Sequence, residues 1–560
     1  MSTTKRLEEE IKQEAKKYLQ QSEIAPLPVS GYEEYLKSGN RLKFEQAYFN
    51  RRRQLTVVAL AVYLGEQSEE LQCFLEQIIW EVCNEYTWAL PAHLSVENNL
   101  FSENSPFCID LFAAETGQTL AEIMTLMGSS LSPLLKQRIQ GEIERRIFQP
   151  FEKYSWGWEK KENNWSAVIA GCIGMTALSL LPPKSARLQQ IVKRLETAMA
   201  SYLSGFGEDG ACVEGVGYWG YGFGYFIYYA EQLAKVLGDE HYLKIPKVKA
   251  VAAFPYRVLI DNQKYVPFSD YSQPELPSGL ISFCGDYFGV PIPSVSEANQ
   301  LDFDHCYRFA PLLRNLLWTK AADSTENSEF YHYFEDAQWA IVKSEQPQFF
   351  FAAKGGSNEE SHNHLDIGHF IFGNQKTLFL TDIGAGEYTR DYFVEAKRYR
   401  YFPTSAASHH LPIINGQTQQ PGAVAAQHVN FDHLTASSEL TMELQETYTE
   451  NKELTLFKRS FKVNACKKSI ELKDSFNFQT STNEIVENFV TMIPPVISGS
   501  QILLQSENQG CVIDVGTTAV SVVEKCYQDH HGSSQKAYQI QARYKVALEA
   551  EIIITIQLEE

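Results

Sequence analysis

Phe370-Ile371-Phe372-Gly373-Asn374-Gln375-Lys376-Thr377-Leu378-Phe379-Leu380-Thr381-Asp382 sets two apolar runs on either side of a polar turn. Short apolar runs bounded by Gly and Asn read as strands, and the turn reads as a hairpin that carries Asp382 back toward the start of the first strand. The same signature extends outward to residues 339–342 and 349–353 on one side and to 469–472 and 551–556 on the other. From roughly Asn327 to the end the hydrophobic period is two. Before about Lys320 it is three to four, in segments 55–63, 71–85, 166–181, 188–203 and 225–237 separated by Pro, Gly or Asn. The expected fold is therefore α+β and multidomain. Residues 1–325 form paired antiparallel helices, an α/α toroid (incomplete barrel) or solenoid, and residues 326–560 form an antiparallel β-sandwich domain.

Size and charge narrow the function classes. A chain of 560 residues exceeds one ordinary core. Its 49 basic residues against 69 acidic ones give a net charge of −20, which argues against a nucleic-acid partner. No run of eighteen apolar residues occurs, so no membrane span is expected. The ten cysteines form no CxxC pair and read as reduced core thiols. The start, MSTTKRLEEEIKQEAKKYLQ, is a charged amphipathic helix and not a secretory signal. Taken as it stands the chain is assigned to the cytoplasm; a leader removed ahead of Met1 would assign it to the periplasm or exterior. Monomer and homo-oligomer are both open.

The chemistry-bearing stretch is Ser361-His362-Asn363-His364-Leu365-Asp366-Ile367-Gly368-His369. In an extended strand His362 and His364 share a face, with His369 on the other and outside the set. The hairpin brings Asp382 back, and His409 in Ala407-Ser408-His409-His410 is a third candidate. Two imidazoles with a carboxylate suit a divalent metal ion, zinc first and manganese permitted. Each histidine alone is equally well explained as a hydrogen-bonded core or surface residue; the set is harder to explain that way.

Several segments resemble the heparinase II/III-like polysaccharide lyases. They are Trp88-Ala89-Leu90-Pro91-Ala92-His93, Ile109-Asp110-Leu111-Phe112-Ala113-Ala114-Glu115-Thr116, Asn163-Asn164-Trp165 and Glu214-Gly215-Val216-Gly217-Tyr218-Trp219-Gly220-Tyr221 in the helical half. The β half adds His362-Asn363-His364-Leu365-Asp366, Asp382-Ile383-Gly384-Ala385-Gly386-Glu387-Tyr388 and Ser408-His409. In this order they mark the family and not one substrate. The resemblance implies a toroid followed by a β-sheet domain, with an active cleft between them. It also implies metal ligands His364, Asp382 and His409, a catalytic His362 beside the metal, a catalytic Tyr218, and Asn164 to neutralise a substrate carboxylate. Some members carry histidine after that asparagine; Trp165 stands there in this chain, so that acid–base role is absent or moved.

The implied reaction is β-elimination on a uronic-acid polymer or oligosaccharide, with glycosaminoglycans such as heparan sulfate, hyaluronan or chondroitin preferred and alginate the alternative. The amide of Asn164 suits a carboxylate. A phenol near pKa about 10 needs a neighbouring cation to serve as a base, whereas His362 titrates in the useful range. The metal is expected to pin loops and orient His362. Trp165, Tyr221, His93 and Arg390 are expected substrate contacts, Arg390 with Arg398 and Arg400 supplying local positive charge. Two bland alternatives stand beside these. Tyr218, Tyr221, Tyr225 and Tyr228 fall at helical spacing, as core stripes do, and Asn164 suits a helix N-cap. A glycoside hydrolase using Glu208, Asp209 and Glu214, or a non-catalytic sugar-binding protein, are the competing classes.

Overall fold

The computed structural model describes residues 3–66, 68–261, 264–323, 330–344, 348–434, 437–507 and 509–559. The chain divides into two compact units. The first comprises Met1–Phe206, Tyr218–Ala253 and Glu275–Ser324; the second comprises Gly207–Gly217, Phe254–Pro274 and Thr325–Glu560. The second unit thus takes in two segments from the helical half of the sequence. The expected boundary between 325 and 326 lies outside the described residues.

In the first unit the amphipathic start forms helix Lys5–Gln21, which buries Leu7, Ile11 and Ala15. The expected helices appear as Leu42–Tyr63, Glu69–Cys83, Asn164–Leu180, Ala186–Ser204 and Gly224–Leu237. Asn164–Leu180 is apolar on nearly every face and buried accordingly, packed among Leu111–Met127, Ala186–Ser204 and Gly224–Leu237. Gly174 permits that closeness: a Cβ there would lie 2.2 Å from the Tyr229 ring. No helix among the described residues is long and apolar enough to cross a membrane.

In the second unit, Tyr331–Phe334, Trp339–Lys343, Phe350–Lys354, Phe370–Gly373 and Leu378–Leu380 pair in sequence order as an antiparallel meander of five strands. The hairpin expected at 373–376 is present, closed by the Asn374 amide donating to the Thr377 carbonyl at 2.9 Å. An eight-stranded antiparallel sheet has at its centre Leu454–Asn464, Ser469–Phe478 and Glu549–Leu558. A four-stranded sheet contains Asn483–Thr491 and Ser534–Val546. Alternate residues of these strands meet in one apolar core: Phe351 and Phe370 of the meander reach Phe461 of the large sheet at 5.4 and 5.2 Å between ring centroids. All ten cysteines are free thiols, six of them buried.

Candidate active site

The histidine segment does not form the strand its alternation suggests. Residues 362–364 lie in an irregular loop between Phe350–Lys354 and Phe370–Gly373, and His362 has φ +60°. A branched-ring residue in the left-handed region carries strain of about 1–3 kcal/mol, held only where surrounding contacts over-determine it. The loop still makes both imidazoles converge, for another reason: they share Asp270.

His364, Asp366, Asp382 and His409 are all buried, with donor atoms within 4.8 Å of one another. His364 Nδ1 and His409 Nε2 are 3.3 Å apart. The far nitrogen of each ring faces an oxygen acceptor: His364 Nε2 lies 3.0 Å from Asp270 Oδ1, and His409 Nδ1 lies 2.9 Å from the Ser405 carbonyl. Those contacts place the proton of each neutral ring on its far nitrogen, so two lone pairs face each other. Asp382 Oδ1 accepts the Gly384 amide at 2.8 Å, while Oδ2, buried and 3.5 Å from His409 Nε2, has no hydrogen-bond partner among the described residues. Two opposed lone pairs beside an orphaned carboxylate oxygen are a donor set that fits a divalent cation. Burial lowers the His409 pKa, and Asp382, Asp366 and the Ser405 carbonyl together raise it past its usual value, so proton and cation would compete for the same pocket. Gly384 has φ +67°, and a Cβ there would meet the Tyr271 carbonyl at 2.2 Å, so the turn that seats Asp382 requires glycine.

His369 lies close to this set, contrary to its placement on the far face. Its Nδ1 accepts the His410 amide at 3.0 Å, which leaves the proton on Nε2, 3.5 Å from Asp382 Oδ2. Burial, with His410 and His409 nearby, holds its pKa well below the usual imidazole range, so it is neutral, and among the described residues its Nε2, like Asp382 Oδ2, has no hydrogen-bond partner. Arg459 ties this region to the large sheet. Fully buried and paired with Asp474, it donates Nη1–H to the carbonyls of Gly368 and His410 at 3.0 and 2.6 Å.

Asp270 is the residue sequence reading missed. It lies in the second unit on Phe254–Pro274, 92 positions from His362, with no local motif to mark it. His362 Nδ1, His364 Nε2, the Tyr392 hydroxyl and Arg398 Nη2 all donate to it, at 2.9, 3.0, 2.7 and 3.0 Å. Burial alone would raise its pKa; Arg398 and the two histidines hold it well below the usual carboxylate range. Arg398, expected to present positive charge, is therefore buried in an internal ion pair. Arg390 and Arg400 are exposed on the same stretch. His362 keeps 14% of its side chain exposed where Asp270, His364 and His409 keep none, so it is the imidazole of this group that a solute can reach.

Lys354 and Asp366 form a buried pair, Nζ 2.9 and 3.0 Å from the two oxygens, so Asp366 is already neutralised. Glu360 beside them accepts the Ser357 amide through Oε1 at 3.0 Å, and among the described residues its Oε2 has no hydrogen-bond partner. Burial pushes its pKa up from 4.5 to about 7. The folded chain then binds a proton between those values that the unfolded chain does not. Glu360 is harmless to folding below about pH 4.5 and costs increasingly more as pH rises toward 7, to about 3 kcal/mol. Glu360→Gln is expected to raise the melting temperature at pH 8 and to leave it nearly unchanged at pH 4.5. Equal shifts at both pH values would refute the assignment.

The first unit carries the other expected residues. Asn164 is not the cap of its helix: Asn163 is, its side chain accepting the Trp165 amide at 3.2 Å, and Asn164 is the first helical residue, buried. Tyr218 ends the turn Val216–Tyr218, and a π-helical turn, Trp219–Phe223, separates it from Gly224–Leu237. That extra residue breaks the stripe. Tyr225 and Tyr228 are core, whereas Tyr218 is only half-buried. The turn packs on Asn164 through Gly222, whose Cβ would lie 3.1 Å from the Asn164 Cβ. The Tyr221 hydroxyl donates to Glu115 at 2.6 Å, and Arg308 stacks on its ring at 4.1 Å while pairing with the same carboxylate. His93 is held by Asp110 at 2.7 Å and meets the half-buried Trp165 edge-on at 4.9 Å, with Lys161 above the indole.

No family model matches the chain, and no curated protein matches it in sequence. Solved structures do match. The heparan sulfate lyase HepC from Pedobacter heparinus superposes with a TM-score of 0.62 at 12% identity, covering 98% of this chain and 87% of that one. Heparinase III superposes at 0.65 and 12%, covering 92% and 77%. A further heparinase III gene product gives 0.64 and 12%, covering 98% and 84%. This chain has a heparinase-like polysaccharide lyase fold. The heparinase-like fold bears out the fold class read from the sequence, a helical toroid region followed by an antiparallel sandwich region. At 12% identity the likeness carries the fold; function in a heparinase-like chain has to be argued from its side chains.

Proposed function

We propose that the chain is a polysaccharide lyase that cleaves uronic-acid glycans by β-elimination, with glycosaminoglycans or their oligosaccharides as the substrate class. The observation that carries this is His362: reachable by a solute, oriented by Asp270, and next to a buried donor set, in a fold shared with structures named as heparan sulfate lyase and heparinase III.

Elimination transfers the C5 proton of the uronate to a base. The C5–H electron pair becomes the C4–C5 double bond, the C4–O bond breaks, and the departing oxygen takes a proton. Asn164 stands in the first turn of a 17-residue helix, where partial positive charge from free amides reinforces its own NH₂ group as a donor to the substrate carboxylate. Tyr218 is the proton-transfer group of the helical unit, and His362 that of the β unit, its Nδ1–H directed to Asp270 so that Nε2 carries the lone pair. His364, Asp382 and His409 would hold a divalent cation, zinc by donor type and manganese permitted, which when bound supplies a fixed positive charge tying two loops together. Arg390 would add the positive charge that a net −20 chain lacks overall; Trp165 and His93 would offer ring surface to sugar.

The hydrolase alternative loses support at Asp209. One oxygen accepts the amides of Asp336 and Ala337 at 2.8 and 3.1 Å and the other accepts Ala211 at 3.0 Å, a turn-building role that leaves it poorly suited as acid or base. The test is a panel of heparan sulfate, hyaluronan, chondroitin and alginate followed by near-ultraviolet absorbance of the unsaturated uronate. Tyr218→Phe is expected to lose the signal by at least about a hundredfold. Binding without absorbance on every polymer would replace the lyase by a sugar-binding protein.

A further inference from the structure

Asp270 is paired with the buried Arg398 guanidinium at 3.0 Å, and a carboxylate so paired accepts from each of its four neighbours. Oδ1 takes His364 Nε2–H and the Tyr392 hydroxyl; Oδ2 takes His362 Nδ1–H and Arg398 Nη2–H. The two imidazoles are thereby protonated on opposite ring positions by one residue. The adjoining backbone is fixed as well. The Ser269 hydroxyl donates to the Val213 carbonyl at 2.7 Å, and the Tyr271 carbonyl accepts the Ala385 amide at 2.9 Å, three residues beyond Asp382. A single short segment therefore touches the loop bearing His362 and His364 and the loop bearing Asp382.

We infer that Asp270 is a positioning residue that sets the tautomers of His362 and His364 together, so that proton transfer and cation binding depend on the same carboxylate. For the catalytic half this rests on the lyase reading; for the cation half it does not. His364 must present Nδ1 as a lone pair to join His409 and Asp382, and His362 must present Nε2 as a lone pair to take a proton. Asparagine at 270 has one acceptor oxygen and one NH₂ group. The NH₂ cannot face an N–H, so one of the two rings turns over or moves its proton, and either the cation or the base is lost.

The test uses the full-length chain labelled with ¹⁵N-histidine. In the metal-free wild type, long-range proton–nitrogen spectra are expected to show His362 protonated at Nδ1 and His364 at Nε2. The reverse in either ring overturns the inference without any variant. In Asp270→Asn at least one of the two patterns should invert. Zinc affinity, measured against a competing chelator, should fall about 10–100-fold. On any polymer the wild type cleaves, kcat should fall by about a hundredfold or more with KM within about threefold. Tyr392→Phe removes one donor without dictating either tautomer, so it should keep both patterns and zinc affinity within about threefold. A folded Asp270→Asn protein with unchanged tautomers and zinc affinity overturns the proposal, as does a Tyr392→Phe protein that reproduces the full loss. Inverted tautomers and weakened zinc binding in a chain that cleaves nothing would uphold the positioning role and remove the lyase.

Discussion

His362→Gln is expected to lower kcat on a cleaved uronate polymer by about 10²–10⁴-fold, the usual contribution of a positioned acid–base group, while leaving zinc binding within a few fold. The contrast with its neighbour is the informative part. His364 is fully buried with Nδ1 against His409, so His364→Gln should abolish zinc binding and take activity with it. His362 touches the same Asp270 from the solvent side and contributes no donor to the buried set. Glutamine keeps an N–H for Asp270 and removes the ring nitrogen whose lone pair would take the proton. It also keeps a non-glycine side chain at φ +60°, so thermal stability should change little. Activity within threefold of wild type would move the base elsewhere, to Tyr218 first. Loss of zinc together with activity would make His362 part of the cation site.

Arg459→Met should destabilise the β unit by about 3–5 kcal/mol, the cost of breaking a buried ion pair from one side. Arg459 and Asp474 are both essentially unexposed, with Nε and Nη2 at 2.9 and 2.5 Å from the carboxylate. Glu487 Oε2 also accepts from Arg459 Nη2 at 3.4 Å, and burial beside Asp474 raises its pKa well above the usual carboxylate range, so it adds less to the loss than Asp474 does. The variant also frees the Gly368 and His410 carbonyls, which bracket the two histidine loops. Weaker zinc binding should therefore accompany the lower melting temperature. The double change Arg459→Met with Asp474→Leu removes both charges and should recover much of the stability without recovering the loop anchor. Full recovery of zinc affinity in that variant would refute the anchoring role.

What could be read from sequence follows the range of the forces involved. The hairpin at 370–380 and the helices from Leu42 to Leu237 announce themselves through local periodicity, because burial on one face repeats with the backbone. The proposed cation donors His364, Asp382 and His409 are suggested by resemblance and by a turn short enough to reason about, and the structure buries all three together. Three features had no local signature. The His362 loop alternates like a strand but takes a left-handed residue, since its shape is set by Asp270 and Arg398, the latter donating to the Asn363 carbonyl. The π-turn at Trp219–Phe223 separates Tyr218 from the core tyrosines, and spacing alone groups all four. Asn163 rather than Asn164 caps its helix, a one-residue difference that lies within the ordinary uncertainty of helix ends.

The insertion of Phe254–Pro274 into the β unit bears on how this protein can be cut apart. A designer who excised residues 326–560 as a module would keep every strand of the large sheet and the three proposed cation donors, yet leave behind the carboxylate that orients His362 and His364. Such a fragment would be a β-sandwich with two misdirected imidazoles, and a cation would meet protons where it needs lone pairs. During synthesis the order is reversed: Asp270 emerges from the ribosome before either histidine and waits for them. The proposed chemistry of the later half thus depends on a residue already made, so an exchange of halves between proteins would have to carry Phe254–Pro274 with the second unit.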